Sequence, residues 1–173
     1  MKIFQLTLGL SVWLTLSTIS YMYGQTGDYK FHKIFIANFI KYIKWPESYQ
    51  TGDFVIGVLG ESPIIAELQD LAKTKTAGNQ KIIVKKFPAT NKITTCHMIF
   101  IPNAESDKLN EVKRILDGKS TLIMTEKANM CQQGSIANFI LQNGRWRFEL
   151  NKAAADKAKL NISVNLTKVA IMC

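Results

Sequence analysis

Few residues of this chain have the types that carry out catalysis, and they do not form a catalytic pattern. The only histidines are His32 and His97, and both lie next to apolar runs. A lone histidine in such surroundings is more often a hydrogen-bonded core residue than a general base. Cys96 directly precedes His97, but neighbours on a strand point to opposite faces and do not pair as nucleophile and base. The sequence therefore predicts a protein that is not an enzyme.

One short stretch has the features of an anion site. In the segment VLGESP, an apolar strand pattern ends and a helix pattern begins at Ser62 and Pro63. Free backbone N–H groups at a helix N-terminus attract negative charge. Gly60, Glu61 and Ser62 are therefore candidate ligand-binding residues. Neither G-x-G-x-x-G nor G-K-[ST] accompanies them, so a phosphate is not specified.

The N-terminus has the organisation of a secretory signal peptide. Lys2 precedes an apolar run over residues 6–16 and a polar, small-residue segment that ends near Gly24. The apolar run is shorter than the roughly 20 residues that a membrane-spanning helix needs. We therefore predict a signal peptide over residues 1–24, cleaved near Gly24, and one domain over residues 25–173. Ser20 is the second choice for the cleavage point, and an uncleaved anchor helix is the alternative.

Because export leads to an oxidising compartment, we expect two of the three cysteines to form a disulfide. An odd count leaves one thiol over. Cys96 with Cys131 is the pairing that we prefer, although the sequence supplies no geometry and leaves Cys173 open as a partner. The chain has no C-x-x-C motif, and its scattered histidines and cysteines do not form a zinc pattern. We expect no metal and no cofactor.

The charge balance argues against binding to nucleic acid. The formal net charge is +9, but the lysines are spread along the whole chain and form no long basic run. Nucleic-acid binding needs a concentrated basic surface. Mild attraction to an anionic membrane surface remains compatible with the sequence.

The middle of the chain alternates strand and helix patterns. Strands are predicted over residues 53–60, 81–88, 97–103 and 120–127, and helices over residues 62–75 and 106–119. Only about ten residues join the second and third strands, which is room for one helical turn. The fold class is therefore α/β: a single layered domain with a central mixed, mostly parallel sheet and flanking helices, followed by a C-terminal β-hairpin and short helices.

The hairpin is the clearest local prediction. Asn143-Gly144 is a type I′ turn signal between two alternating runs within residues 135–151. Its two-residue loop places Gln142 opposite Arg145 and fixes the register outward. One face is then apolar, and the other carries Asn138, Ile140, Arg147 and Glu149. A short helix over residues 151–160, capped by Asn151, and a terminal helix from Ser163 follow.

The helix predicted over residues 30–45 is apolar around most of its circumference. Its lysines fall on one narrow stripe, and aromatic and aliphatic side chains cover about two thirds of the helix. A sheet can cover one side only, so a second element or another protein must cover the rest. The candidate partner-binding residues, which combine this helix with the polar face of the hairpin, are Phe31, Phe35, Asn38, Phe39, Tyr42, Trp45, Arg147 and Glu149.

At this helix the chain resembles the YfiR-like family of exported bacterial proteins. ANFIKYIKWP matches that family's Asn-Phe…Trp-Pro signature. The similarity continues in order over residues 30–170. The further matching segments are FVIGVLGESP, TTCHMIFIP, TLIMTEK and GSIANFILQNGRWRFELNKAAADKAKLNIS.

The resemblance implies a periplasmic α/β domain without known catalysis, often a homodimer, from a Gram-negative bacterium. The best-understood member represses an inner-membrane diguanylate cyclase, so the implied function is restraint of a membrane-bound signalling partner, a diguanylate cyclase or sensor kinase, with effects on cyclic di-GMP and biofilm formation. Some members pair cysteines locally near the hairpin, and Cys131 has no such neighbour here. The alternative is a periplasmic small-ligand sensor without a fixed membrane partner.

Overall fold

The computed structural model describes residues 29–173. The signal peptide predicted over residues 1–24 lies outside these residues and stays a prediction. The helices are α1 (Tyr29–Tyr42), α2 (Ile64–Thr74), α3 (Leu109–Ile115), α4 (Lys152–Lys157) and α5 (Val164–Thr167). The strands are β1 (Ile43–Lys44), β2 (Phe54–Leu59), β3 (Thr76–Ala77), β4 (Gln80–Phe87), β5 (Met98–Ile101), β6 (Leu122–Thr125), β7 (Ala137–Gln142), β8 (Arg145–Leu150), β9 (Asn161–Ile162) and β10 (Ile171–Met172).

Eight strands form one sheet in the order β10-β8-β7-β6-β5-β2-β4-β3. The strands β4, β2, β5, β6 and β7 run parallel to their neighbours within this group, and β8 is antiparallel to β7. This mixed, mostly parallel sheet with flanking helices confirms the predicted fold class. The apolar strand β5 lies between β2 and β6, as expected for a strand that is buried on both faces.

The sheet separates two apolar cores. The larger core joins α1, α2, α4 and α5 to one face, and its largest fully buried side chains include Phe39, Phe100, Phe139 and Phe148. The smaller core joins α3 to the other face through Leu109, Val112 and Leu116. Alternation of side chains along the parallel strands supplies both cores, because successive residues point to opposite faces.

The helices around the sheet begin close to where the sequence predicts. Ser62 Oγ accepts a bond from Ile64 N–H (3.4 Å), and Pro63 has helical dihedral angles, so these residues open α2 as expected. The segment predicted as one helix over residues 106–119 is instead a 3₁₀ helix (Asn103–Lys108) followed by the shorter α3. The link from β4 to β5 contains one 3₁₀ turn (Thr90–Lys92), as its length predicts.

The β7–β8 hairpin has the predicted turn and register. Asn143 and Gly144 have φ values of 52° and 72°, which are the positive angles that a type I′ turn requires. Gln142 pairs with Arg145, and Asn138 pairs with Glu149 at the base. Asn151 caps α4 by accepting a bond from Ala154 N–H at 2.9 Å, also as predicted.

The first helix is shorter than the predicted 30–45 range. It ends at Tyr42, and the next two residues form β1, which pairs antiparallel with β9. Pro46 disfavours helical angles at Trp45, which explains why the helix does not continue to that residue. The predicted position of Trp45 on the helix is therefore wrong.

The C-terminus contains a strand that the sequence pattern did not reveal. After the short helix α5, capped by Ser163, the chain forms β10 parallel to β8. This pairing places Cys173 in a disulfide with Cys131, with their Cα atoms 6.3 Å apart. Cys96 is a free, buried thiol in the smaller core. The preferred pairing of Cys96 with Cys131 is therefore wrong, because strand pairing far along the chain decides which sulfurs meet.

Candidate functional site

The helix α1 has one buried face and one accessible face. His32, Ile36 and Phe39 point into the larger core and are buried. On the opposite side, Phe31 is 47% exposed and Ile34 is 54% exposed. The remaining accessible candidates on this helix are Phe35, Asn38 and Tyr42, which are half-buried.

Two of the predicted partner-binding residues are core residues instead. The ring of Phe39 is fully buried, with its centroid 5.0 Å from that of Phe148. Trp45 is buried beside Phe54, and its indole N–H donates to the His97 carbonyl at 3.2 Å. Neither side chain is available to another protein, so Phe39 and Trp45 are removed from the candidate contact surface.

One lysine of the α1 stripe contacts α2. Lys33 Nζ lies 2.6 Å from Glu67 and 2.9 Å from Asp70 of α2. Hydrogen bonds to Glu67 and then Asp70 raise the pKa of Lys33. The wide apolar arc of α1 is therefore partly explained: the sheet covers one side of the helix, α2 flanks another, and an apolar strip remains open.

The tip of the hairpin extends this open strip. Leu141 is 61% exposed and pairs across the strands with the half-buried Trp146. The Trp146 ring lies 4.6 Å from the ring of His32, so the tip lies beside the first turns of α1. We call the combined area the α1–hairpin surface; it consists of Phe31, Ile34, Phe35, Asn38, Tyr42, Leu141 and Trp146.

The polar face of the hairpin is not part of that surface. Asn138 is buried, accepts a bond from Thr125 Oγ1 and donates to Glu149 Oε2, both at 2.8 Å. Arg147 is exposed and takes part in none of the ion pairs found within residues 29–173. The contacts join Asn138 to Glu149 but not to Arg147. Because α1 packs on the other face of the sheet, Arg147 and Glu149 do not share a face with the helix residues.

A cluster of buried and half-buried polar side chains at the start of α1 was not predicted. Glu126 Oε1 accepts bonds from the Tyr29 hydroxyl (3.1 Å) and the Asn103 N–H (3.0 Å). Its Oε2 lies 3.6 Å from Nε2 of the fully buried His32. Burial raises the pKa of Glu126, although the bonds from Asn103 and Tyr29 act in the opposite direction. The sequence feature that could have revealed this cluster is Glu126 itself, a charged residue directly after the buried strand β6.

The candidate ligand residues after β2 lie in a shallow crevice beside this cluster. Gly60 has φ of 69°, and the Glu105 side chain packs directly against it. Glu61 pairs with Lys86, and Ser62 is occupied by capping α2. The crevice brings Glu61 and Glu126 together. Two carboxyl groups on one crevice disfavour an anion there, so the anion-binding interpretation gains no electrostatic support.

His97 is a structural residue, as its sequence context predicts. Val55 N–H donates to its Nδ1 at 3.0 Å, which places the proton on Nε2, 2.8 Å from the Tyr49 carbonyl oxygen. Its ring stacks on Phe54 with centroids 4.3 Å apart. Burial lowers the pKa of His97, so the imidazole is neutral near pH 7 and holds β2 beside β5.

Over residues 29–173 no helix has the length and apolar character needed to cross a bilayer. The same residues include no group of three or more His, Cys, Asp or Glu side chains placed to hold a metal ion.

Comparison with known proteins gives one family. No curated protein sequence matches this chain significantly. A family model described as YfiR/HmsC-like matches residues 29–171, which includes every helix and nearly every strand described above. The Asn38-Phe39…Trp45-Pro46 segment, the hairpin and the Ala-rich helix α4, which carry the resemblance in the sequence, all lie within that range. The chain belongs to the YfiR/HmsC-like family.

Proposed function

We propose that this protein is an exported regulator that restrains a membrane-bound signalling protein by direct contact. The observation that carries the proposal is the α1–hairpin surface, where large apolar side chains stand exposed on a protein of this family. Contiguous exposed apolar side chains on a soluble domain are typical of sites for other proteins. The proposed role is binding and not catalysis.

Membership of the family supports two parts of the proposal, export and the class of partner. Members of this family are periplasmic regulators, and the signal peptide predicted over residues 1–24 is consistent with the same location. The proposed partner is therefore the periplasmic part of an inner-membrane diguanylate cyclase or sensor kinase, so that the cyclic di-GMP level is the proposed output. The family also supports a homodimer, which analytical ultracentrifugation of the purified protein can test.

The composition of the α1–hairpin surface suits a reversible protein contact. Phe31, Phe35 and Trp146 are aromatic, and aromatic side chains are enriched at protein interfaces. The partly polar Asn38 and Tyr42 supply hydrogen-bonding groups at its edge. Phe35 is held in place by packing against Phe148, with ring centroids 5.3 Å apart. A surface held in this way loses little conformational entropy when a partner binds.

Co-purification from detergent extracts with the membrane signalling protein encoded beside this gene tests the proposal. Ile34→Asp places a charge on the surface at its more exposed α1 isoleucine, which is 54% exposed, and we expect at least about a tenfold loss of recovered partner, as at an interface hot spot. Ile115→Asp is the matched control: it makes the same change at a side chain that is 38% exposed on α3, on the other face of the sheet.

The results separate a specific contact from general damage. Loss of the partner with Ile34→Asp, retention with Ile115→Asp and equal melting temperatures support the α1–hairpin surface. Arg147→Glu on the opposite face should leave recovery unchanged. Equal recovery with both isoleucine variants would remove the surface from the proposed function, and no recovery with the unaltered protein would refute that partner.

A further inference from the structure

Besides the crevice next to Glu126, the protein has a second concave feature. It lies away from the α1–hairpin surface and shares no residue with it. A cavity of about 280 Å³ opens between the end of α3, the segment before β7 and the helix α4. It lies at the amino-terminal ends of β6 and β7, whereas the crevice beside Glu126 lies at the carboxyl ends of the strands. Nothing in the proposed partner contact uses it.

The inner part of this cavity is apolar. Its lining includes the buried side chains of Leu116, Ile123 and Ile136. On the α4 side, the small residues Ala154 and Ala158 complete the wall and leave the space open. An apolar interior with few polar groups is the usual character of a small-molecule site.

The rim of the cavity is cationic. Lys113, Lys119 and Lys157 line it together with one acid, Asp117, which leaves two positive charges in excess. Lys113 Nζ is held at the rim by a bond to the Gln133 carbonyl oxygen at 2.6 Å. Lys157 pairs with Asp117 at 3.0 Å, with both side chains mostly exposed. An exposed pair of this kind contributes little energy and can exchange for another anion.

We propose that this cleft, the α3–α4 cleft, binds a small free organic acid, with its apolar body against Ile123 and Ile136 and its carboxylate among Lys113, Lys119 and Lys157. The volume lies slightly below the usual range for small-molecule sites and selects a compact ligand. The apolar interior excludes inorganic anions as good ligands, because they would lose hydration without gaining apolar contact. The lysines select an anion over a neutral compound of the same shape.

Isothermal titration calorimetry of the purified protein with 4-phenylbutyrate tests this directly, with the neutral 4-phenylbutan-1-ol for comparison. We expect saturable binding of the acid, weaker binding of the alcohol, and an affinity for the acid that falls with added salt. Ala154→Leu fills the cleft and should lower the affinity by about tenfold or more, because the ligand then has no room. Ala153→Leu is the matched control, since Ala153 is an exposed neighbour on the same helix outside the cleft.

The charge is tested separately. The double variant Lys119→Gln/Lys157→Gln should weaken binding of the acid by about threefold for each lysine removed. The affinity should also depend less on salt. Lys152→Gln is the control for charge, because Lys152 lies on α4, pairs with Asp156 and does not line the cleft. Thermal melting of each variant confirms that it is folded.

Each result decides for or against the proposal. Loss with Ala154→Leu and retention with Ala153→Leu, together with the lysine effect, support it. Equal affinities for Ala154→Leu and Ala153→Leu, equal binding of acid and alcohol, or no saturable binding overturn it. Flotation with phosphatidylglycerol vesicles forms the last arm: cleft-dependent binding to vesicles without binding of the free acid would assign the cleft to a lipid surface and overturn a soluble ligand.

Discussion

Removal of the Cys131–Cys173 disulfide should strongly destabilise the folded protein. The bond joins residues 42 positions apart and fastens the terminal strand β10, which pairs with β8 at the edge of the sheet. In the chain-entropy treatment, a closed loop of that length restricts the unfolded chain enough to stabilise the fold by about 4 kcal/mol. Because β10 is two residues long, little else holds the C-terminus, and the loss should appear as lower global stability with earlier fraying of this end.

The assay is equilibrium unfolding in urea of the double variant Cys131→Ser/Cys173→Ser. Its free energy of unfolding should be lower than that of the oxidised protein by about 2 to 4 kcal/mol, since measured disulfide contributions often fall below the entropic value. Reduction of the unaltered protein should give the same shift. The oxidised and reduced forms of the same chain serve as the matched pair. Cys96→Ser is not a suitable control, because Cys96 is a core side chain. A reduced Ser48→Cys/Gln50→Cys variant is not suitable either, because it does not change the Cys131–Cys173 bond.

The reasoning is refuted if reduction changes the free energy of unfolding by less than about 1 kcal/mol, which is below the usual range for a native disulfide. It is also refuted if mass spectrometry of the oxidised protein finds Cys96 bonded to Cys131 or Cys173. Hydrogen exchange gives a separate check: the amide of Cys173, which donates to the Leu150 carbonyl at 3.3 Å, should exchange faster after reduction, while amides of β5 should change less.

Burial raises the pKa of the Cys96 thiol to about 12, so Cys96 should resist iodoacetamide in the folded protein near pH 8 and react once urea unfolds it, which mass spectrometry can follow. Burial also raises the pKa of Glu126; between its unfolded and folded pKa values the folded state holds more protons, so stability should fall as pH rises through that window, and Glu126→Gln should flatten the fall in urea midpoints. Phe39→Ala should lower the free energy of unfolding by about 3 to 5 kcal/mol, as for a buried aromatic ring.

Local chemistry explains which parts of the fold could be predicted. The Asn143-Gly144 turn fixes the register of the hairpin because a two-residue loop allows one pairing only. Ser62 with Pro63 and Asn151 mark helix starts through side-chain and dihedral preferences that act within a few residues. The parallel sheet follows from strands that alternate with helices, so the fold class needed no long-range information.

The elements that were missed depend on contacts between distant parts of the chain. The strands β1, β9 and β10 are two residues each, which is too short for an alternating pattern to be recognised. The hydrogen bond from Tyr29 to Glu126 joins residues 97 positions apart. The disulfide partner of Cys131 was not predictable for the same reason, because it follows from the pairing of β10 with β8.

The candidate surface shows the same limit within a single helix. Periodicity identified α1 as apolar over most of its circumference but could not separate Phe39, which is buried, from Phe31, which is not. Two neighbours with different chemistry, the sheet and the acidic side of α2, divide the circumference. Glu67 and Asp70 on α2 contact Lys33, which accounts for this one lysine of the stripe without a membrane or a partner.

The division of α1 allows its structural and binding roles to be separated by experiment. Substitutions at Ile36 or Phe39 would act on the core and hence on the amount of folded protein. Substitutions at Phe31 or Ile34 change side chains that are about half exposed, so their effect on folding should be small. A loss of regulation caused by substitution of Phe31 or Ile34 therefore reports on the partner contact itself. A loss caused by substitution of Ile36 or Phe39 does not distinguish a lost contact from unfolding.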